Sequence, residues 1–481
     1  MIAMTRRRAL AGLSSLAGTI AFSGCAINPV TGKTEFMLMS EDKEISMGEE
    51  AHGQIVAEYG AYNDTALQEW FTTKGVEMAK VSHRKNLPWH FTVLDSPVVN
   101  AFAVPGGYVY VTRGILGYFT DEAQFAGVLG HELGHVTARH SAARYSKLQM
   151  ANLGILLGSI VSEDFRNYSQ LASLGTTMLF LKFSRDDERQ ADKLGVEYSS
   201  LVGYDATHVS DFFHTLERMS PGGGSLPEWQ STHPNPGDRV NATRSQAITY
   251  QKKHSGMTFN YYREEYLERI DGLVFGDNPE QGYVENDVFY HPTLRLRFDV
   301  PVGWQVSNKP SEVRMGSEDQ KAVLVFTLGA GETVRESADK FQATNEITVN
   351  SVETITVNGN EGLRTAGVMA SGEQNIGIAS YYIGMQGHVY TFHGLSAEDD
   401  LPGYDGAFSK TARSFGLLDD PTKLTVTPKR IAIRQAPKNA TLKEVLNGMG
   451  VGEDELNELS IMNGLELTDT VSAGQRLKVL S

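Results

Sequence analysis

The sequence predicts a multidomain α+β chain: a mostly helical first domain with a β-hairpin at its edge, then a separate α+β unit, then a small βααβ module. Three observations carry that expectation. From Asp121 to about Leu216 the apolar residues recur at mostly helical spacing, and a hairpin pattern stands just before them. A compositional break falls at Gly272 to Gly282, where Gly276-Asp277-Asn278-Pro279 interrupts the helical pattern. Beyond it Leu294, Leu296, Phe298 and Val300 alternate with Arg295, Arg297 and Asp299, a period of two. A chain of 481 residues is long for one domain, and 41% hydrophobic content supports packed cores.

The first 24 residues read as a lipoprotein-type signal peptide. Arg6, Arg7 and Arg8 form a basic cluster, a short apolar stretch of small residues follows, and Phe22-Ser23-Gly24 leads into Cys25. Cys25 is the only cysteine, so no disulfide can form within the chain, and its setting resembles a bacterial lipoprotein box whose thiol becomes lipidated. An ordinary signal cut nearby, leaving a spare thiol, stays open, as does the choice between general and twin-arginine export. No later segment has enough consecutive apolar residues to span a bilayer. Leu153 to Val161 and Met178 to Phe183 read as buried or lid helices beside a cleft, with interfacial membrane contact as the alternative. A formal net charge of −15 argues against a nucleic-acid partner and against a broad electrostatic grip on anionic lipid.

Within the first domain, Val98 to Val104, the turn Pro105-Gly106-Gly107 and Tyr108 to Val111 read as a β-hairpin. Its first strand, with Asn100, Ala101 and Phe102, reads as an edge strand, able to pair with another extended segment or to stand without a ligand. Next comes Gly127-Val128-Leu129-Gly130-His131-Glu132-Leu133-Gly134-His135. On a helix, His131 and His135 are i and i+4, one turn apart on one face, a spacing that suits two ligands of one tetrahedral metal ion. Glu132 is turned about 100° from His131, so it suits a proton acceptor for a metal-bound water better than a ligand. A solvated face could carry the same three residues, but Phe125, Val128, Leu129, Leu133 and Val136 around them are core-type.

Such a site needs a third protein ligand and one open position. The candidate lies in Phe183-Ser184-Arg185-Asp186-Asp187-Glu188-Arg189-Gln190-Ala191-Asp192, where Glu188 and Asp192 again share a helix face. Glu188 can bind the metal, and Asp192 can accept the second ring N–H of a ligand histidine. A surface helix whose acids pair with Arg185 and Arg189 would look alike.

HELGH followed by Ser-Arg-x-x-Glu-x-x-Ala-Asp resembles the gluzincin family of HtpX-like, Oma-type and CAAX-prenyl-protease-like zinc metallopeptidases, and within it the periplasmic lipoprotein, BepA-like branch. Asn28-Pro29-Val30-Thr31-Gly32-Lys33, Asn100 to Gly107 and Ser231-Thr232-His233-Pro234 are similar to stretches of that branch. The resemblance covers roughly residues 25–270 and implies one zinc ion per chain, held by His131, His135 and Glu188, with Glu132 as catalytic base. It also implies His233 and Arg239 as candidate donors to a charged tetrahedral intermediate, and His233 as an inhibitory plug on the open zinc position. His140 is five residues past His135, off the ligand face, and is left out of the site.

Residues 282–417 loosely resemble the α/β sandwich of PsbP-like and Mog-like domains, and 425–481 a LysM-like module that would bind peptidoglycan. Asn439-Ala440-Thr441 departs from the usual Gly-Asp-Thr, so a packing role for the tail stands beside glycan binding. The expected protein is a zinc endopeptidase acting on unfolded or misassembled envelope polypeptides. It would be lipid-anchored through Cys25 in the bacterial cell envelope, on the periplasmic face of the outer membrane in a Gram-negative source, and would serve protein quality control. The competing expectations are a non-catalytic periplasmic chaperone or adaptor, and a cell-wall-binding lipoprotein.

Overall fold

The computed structural model describes residues 25–147, 183–219, 228–233, 236–371 and 374–481. The signal segment, Leu153–Val161 and all of Met178–Phe183 except Phe183 lie outside them, and of Cys25 only the backbone is described. The chain divides into two compact units: one takes the residues up to Gly276 together with Arg430–Ser481, the other Asp277–Lys429.

In the first unit, helices α1 (Glu41–Tyr59) and α2 (Thr65–Val81) precede a three-stranded sheet of β1 (His90–Leu94), β2 (Ala101–Val104) and β3 (Tyr108–Thr112). Strand β3 is central, parallel to β1 and antiparallel to β2. Strands β2 and β3 form the hairpin read from the sequence, with Ala101 opposite Val111 and both turn glycines, Gly106 and Gly107, at positive φ. Helix α3 (Glu122–Thr137) follows, then α4 (Arg185–Leu201) and α5 (Val209–Arg218), a short helix α6 (Glu228–Thr232) and α7 (Pro236–Lys253).

The ends of α3 are tied on both sides. Asp121 caps its N-terminus by accepting from Gln124 N at 2.9 Å. At its C-terminus, where helix carbonyls lack intrahelical partners, Arg84 Nη1 donates to Val136 O (3.1 Å) and Asn28 Nδ2 to Ala138 O (3.2 Å). The Asn28 amide oxygen meanwhile accepts from Val30 N and Thr31 N, which folds the Asn28-Pro29-Val30-Thr31 stretch into a turn against the helix end. Buried Glu44 joins Arg84 and Arg139 into one ion cluster at the same place.

The tail, which the sequence sets apart as a last domain, shares the hydrophobic core of the first unit. Leu442, Leu446, Leu459, Met462 and Leu477 lie in one cluster with Phe119, Phe212 and Tyr266. Its strands Ile431–Gln435 and Arg476–Leu480 pair antiparallel around helices Leu442–Gly448 and Leu456–Met462. Lys478, fully enclosed, donates from Nζ to Gly117 O (2.8 Å) and Phe119 O (2.9 Å), and Arg218 Nη2 donates to Ser460 Oγ and Leu465 O. About fifty residues make a small core alone, and this segment completes its core against a larger neighbour.

The second unit has a seven-stranded antiparallel sheet and a four-stranded one among its described residues. Alternate residues of the large sheet are buried on opposite faces. Tyr381 and Phe392 pack with Phe408 of helix Leu401–Ser414, whereas Leu363 and Tyr382 pack with Phe341 of helix Val334–Thr344. The strand Ala322–Leu328 lies inside the large sheet.

Candidate metal centre

Every residue of α3 from Glu122 to Thr137 is buried. A helix buried all round is ordinarily apolar all round, so His131, Glu132 and His135 are tolerable only with partners. Its glycines explain how partners reach them. A Cβ on Gly130 would sit 3.0 Å from Gly195 O, and one on Gly134 3.1 Å from the Ala191 Cα. Glycine weakens a helix by about 1 kcal/mol, but here it lets α4 close onto α3, which carries Glu188 and Asp192 to the histidines. Helix α4 itself starts in a capping box between Ser184 and Asp187.

His131, His135, Glu188 and His233 converge, all buried, with ligand atoms within 4.8 Å of one another. His131 Nε2 lies 3.0 Å from His135 Nε2, 3.3 Å from His233 Nδ1 and 3.6 Å from Glu188 Oε2. Glu188 Oε1 lies 3.5 Å from His135 Nε2 and 2.9 Å from His233 Nδ1. Ligands about 2.0–2.1 Å from a tetrahedral zinc stand about 3.3–3.4 Å apart, and these donor separations of 2.9–3.6 Å lie around that value, with His233 as the fourth donor. Two further observations fit a cation. Glu188 Oε2 is buried and accepts no hydrogen bond, although Arg239 Nη1 is 3.1 Å away as an ion pair. His131 Nδ1 meets Asp192 Oδ1 at 3.0 Å; a carboxylate only accepts, so Nδ1 carries the proton and Nε2 keeps its lone pair toward the centre. Among the described residues no other such cluster forms.

Burial dominates the electrostatics. It lowers His131 to about 4 and, helped by the neighbouring histidines, holds His135 well below the usual imidazole value. Both rings are therefore available as neutral ligands at neutral pH. Burial would raise Glu188 and Asp192, but His233 and Arg239 respectively outweigh it and keep both carboxylates below their ordinary range. Glu132 has less compensation, and burial pushes it up to about 7. Its Oε1 is 3.4 Å from Trp229 Nε1 and 3.7 Å from His233 Nε2.

Arg239 and His233 both reach the cluster. Arg239 spends Nε and Nη2 on Asp192, at 2.9 and 2.5 Å, and its guanidinium lies over Phe213 and Trp229. It holds Asp192, while its Nη1, which makes no hydrogen bond, lies 3.1 Å from Glu188 Oε2. His233 stands among the ligand atoms, and its ring stacks on Trp229 and on Phe183. Asn100, Ala101 and Phe102 are buried, not open. Trp229 N donates to Val99 O (3.3 Å) and Asn100 Nδ2 to Glu228 Oε1 (3.0 Å), so α6 lies at the start of the edge strand β2.

Sequence reasoning missed Trp229, Phe183 and His140. The His140 Nδ1 is 3.0 Å from His135 Nδ1, because the helix ends at Thr137 and Arg139 adopts a left-handed φ of 61°, which turns residue 140 back. His52, His83 and His208 find other partners: the hydroxyls of Tyr110 and Tyr198, and the carboxylate of Asp121.

Residues 65–247 match the model of Peptidase family M48. The mitochondrial metalloendopeptidase OMA1 of Arabidopsis thaliana is 33% identical over 187 residues, 37% of either chain. The beta-barrel assembly-enhancing protease of Yersinia pestis is 28% identical over 228 residues, 46% of this chain and 47% of that one. A putative beta-barrel assembly-enhancing protease of Vibrio cholerae is 27% identical over 257 residues, 51% of this chain and 52% of its own. The chain thus spans about half the length, or less, of these curated relatives. Among solved structures, cyanobacterial PsbP from Synechocystis is 15% identical, with 27% of this chain and 91% of that one covered at a TM-score of 0.24. The donor set and the paired helices that build it lie within the stretch, residues 65–247, that is similar to Peptidase family M48.

Proposed function

We propose that the chain is a zinc-dependent endopeptidase that hydrolyses unfolded or misassembled polypeptides of the bacterial envelope, with Glu132 as general base. The observation that carries the reading is the buried convergence of His131, His135, Glu188 and His233, with buried Glu132 beside it. The chemistry that zinc supplies in such a set is Lewis acidity toward a peptide carbonyl and acidification of the attacking water. His131, His135 and Glu188 would hold it. Glu132, poised near neutrality, takes the proton of the attacking water at Oε1 and returns it to the leaving amine. Asp192, clamped by Arg239, fixes the His131 ring. Strand β2 would align an extended substrate through its backbone, which requires α6 to withdraw. His233 then acts as the plug: it leaves the fourth vertex, and Trp229 leaves Glu132, before substrate enters. Anchoring through Cys25 and glycan contact through the tail belong to the same proposal, and the tail's shared core also supports a packing role.

The test compares wild type, Glu132→Gln and His233→Ala for zinc content and casein cleavage. Glu132→Gln should retain zinc and lose cleavage by at least about 10²–10⁴-fold, while His233→Ala should retain zinc and cleave faster. Unchanged cleavage in Glu132→Gln removes that residue from the mechanism. Zinc-loaded wild type and His233→Ala that both leave casein intact favour the non-catalytic chaperone or adaptor.

A further inference from the structure

The two ligand histidines are backed differently. Behind His131 stands a carboxylate, Asp192; behind His135 stands another imidazole, at 3.0 Å between Nδ1 atoms. Two such nitrogens cannot both carry a proton at that distance, so one donates and the other accepts. The far side of His140 decides which. Its Nε2 faces Gln190 Oε1 at 2.9 Å and Asp187 Oδ1 at 3.8 Å, both acceptors, so Nε2 carries the ring's proton and Nδ1 presents a lone pair. His135 must then donate from Nδ1, which leaves its Nε2 lone pair directed at the metal position. Buried Arg139 holds the turn that aims His140, with Nη2 on Met39 O at 2.7 Å and Nε on Glu44.

We propose that His140 and Gln190 are positioning residues for the metal centre: a hydrogen-bond relay, Gln190 to His140 to His135, fixes the His135 tautomer that can bind zinc. The proposal rests on the metallopeptidase reading above and gives a task to two residues which that reading leaves unused. Asp187 and Glu188, neighbours on α4, thereby divide their work between the helix cap and the metal, while Gln190 supports the second histidine from the same helix.

Zinc affinity of the full chain, measured by competition of the zinc-free protein with a fluorescent chelator, tests it without reference to cleavage. His140→Leu is expected to bind zinc about 10- to 100-fold more weakly. His140→Asn places Oδ1 where Nδ1 stood and should stay within about threefold of wild type, and Gln190→Leu should fall between the two. Spectra of ¹⁵N-histidine-labelled, zinc-free protein should show His135 protonated at Nδ1 in wild type and distributed between both nitrogens in His140→Leu. Equal affinity in wild type and His140→Leu overturns the relay, as does an equal loss in His140→Leu and His140→Asn, which would mean packing alone. A wild type that binds no zinc overturns the peptidase reading itself, a result distinct from both.

Discussion

His131 in the first unit and His393 in the second are both buried, and burial holds both imidazoles at about 4, yet only one belongs to a site. His393 meets Ser380 Oγ at 2.9 Å and stacks on Phe341 with ring centres 3.7 Å apart. That is enough to satisfy one polar ring in a core. His131 instead faces a second imidazole, a third, and a carboxylate at separations near those of zinc ligands, with a clamped aspartate behind it. A shifted titration therefore marks burial in both units, and convergence of lone pairs marks function in one.

The sharpest way to break that contrast is to remove what stands behind His131. Asp192→Ala leaves the buried Arg239 guanidinium without its bidentate partner, and breaking such a pair costs about 3–5 kcal/mol. Chemical denaturation should show that loss, and zinc affinity should fall about 10- to 100-fold. His393→Leu, in contrast, should leave zinc affinity unchanged; a shared loss would erase the distinction between the two regions.

Acid sharpens it next. The folded-state value of His393 lies below the unfolded one, so the unfolded chain gains protons between pH 6.5 and about 4 that the folded chain does not. Its contribution to stability is complete above pH 6.5 and is lost as pH falls through 4, by roughly 3 kcal/mol at the limit. Denaturation midpoints of the full chain should therefore fall over this window, and less steeply in His393→Leu. The smallest effect belongs to His208, which Asp121 holds above its ordinary value against the opposing effect of burial. Its contribution is present below pH 6.5 and fades as pH rises through its elevated folded value. Because the pair is partly exposed, His208→Gln should cost under about 1 kcal/mol, measured by denaturation at pH 6.

What the sequence made legible follows from locality. His131, His135, Glu188 and Asp192 were readable because each pair sits at i and i+4 on one helix, where a fixed rise and turn decide the geometry. The glycines of α3 could have signalled a close helix crossing, since Gly127, Gly130 and Gly134 recur on one side. His140 was not readable, because helical extrapolation carries it off the ligand face and only the left-handed Arg139 returns it. The place of Trp229 beside Glu132 is a tertiary fact with no periodic trace. In the second unit the strand Thr348–Val357 escaped notice because it lies at the sheet's edge with most side chains exposed, so no apolar alternation marks it. The tail's elements were recognisable one by one, but a core shared with Phe119 and Tyr266 cannot be seen in either segment alone.

Zinc-edge X-ray absorption on the full chain loaded with one equivalent of zinc probes the central claim, that side chains from three separate segments hold a single ion. The account predicts a four-coordinate shell of nitrogen and oxygen at about 2.0–2.1 Å with three imidazoles in wild type and two in His233→Ala. A shell without paired imidazoles, or one unaltered by His233→Ala, would contradict it.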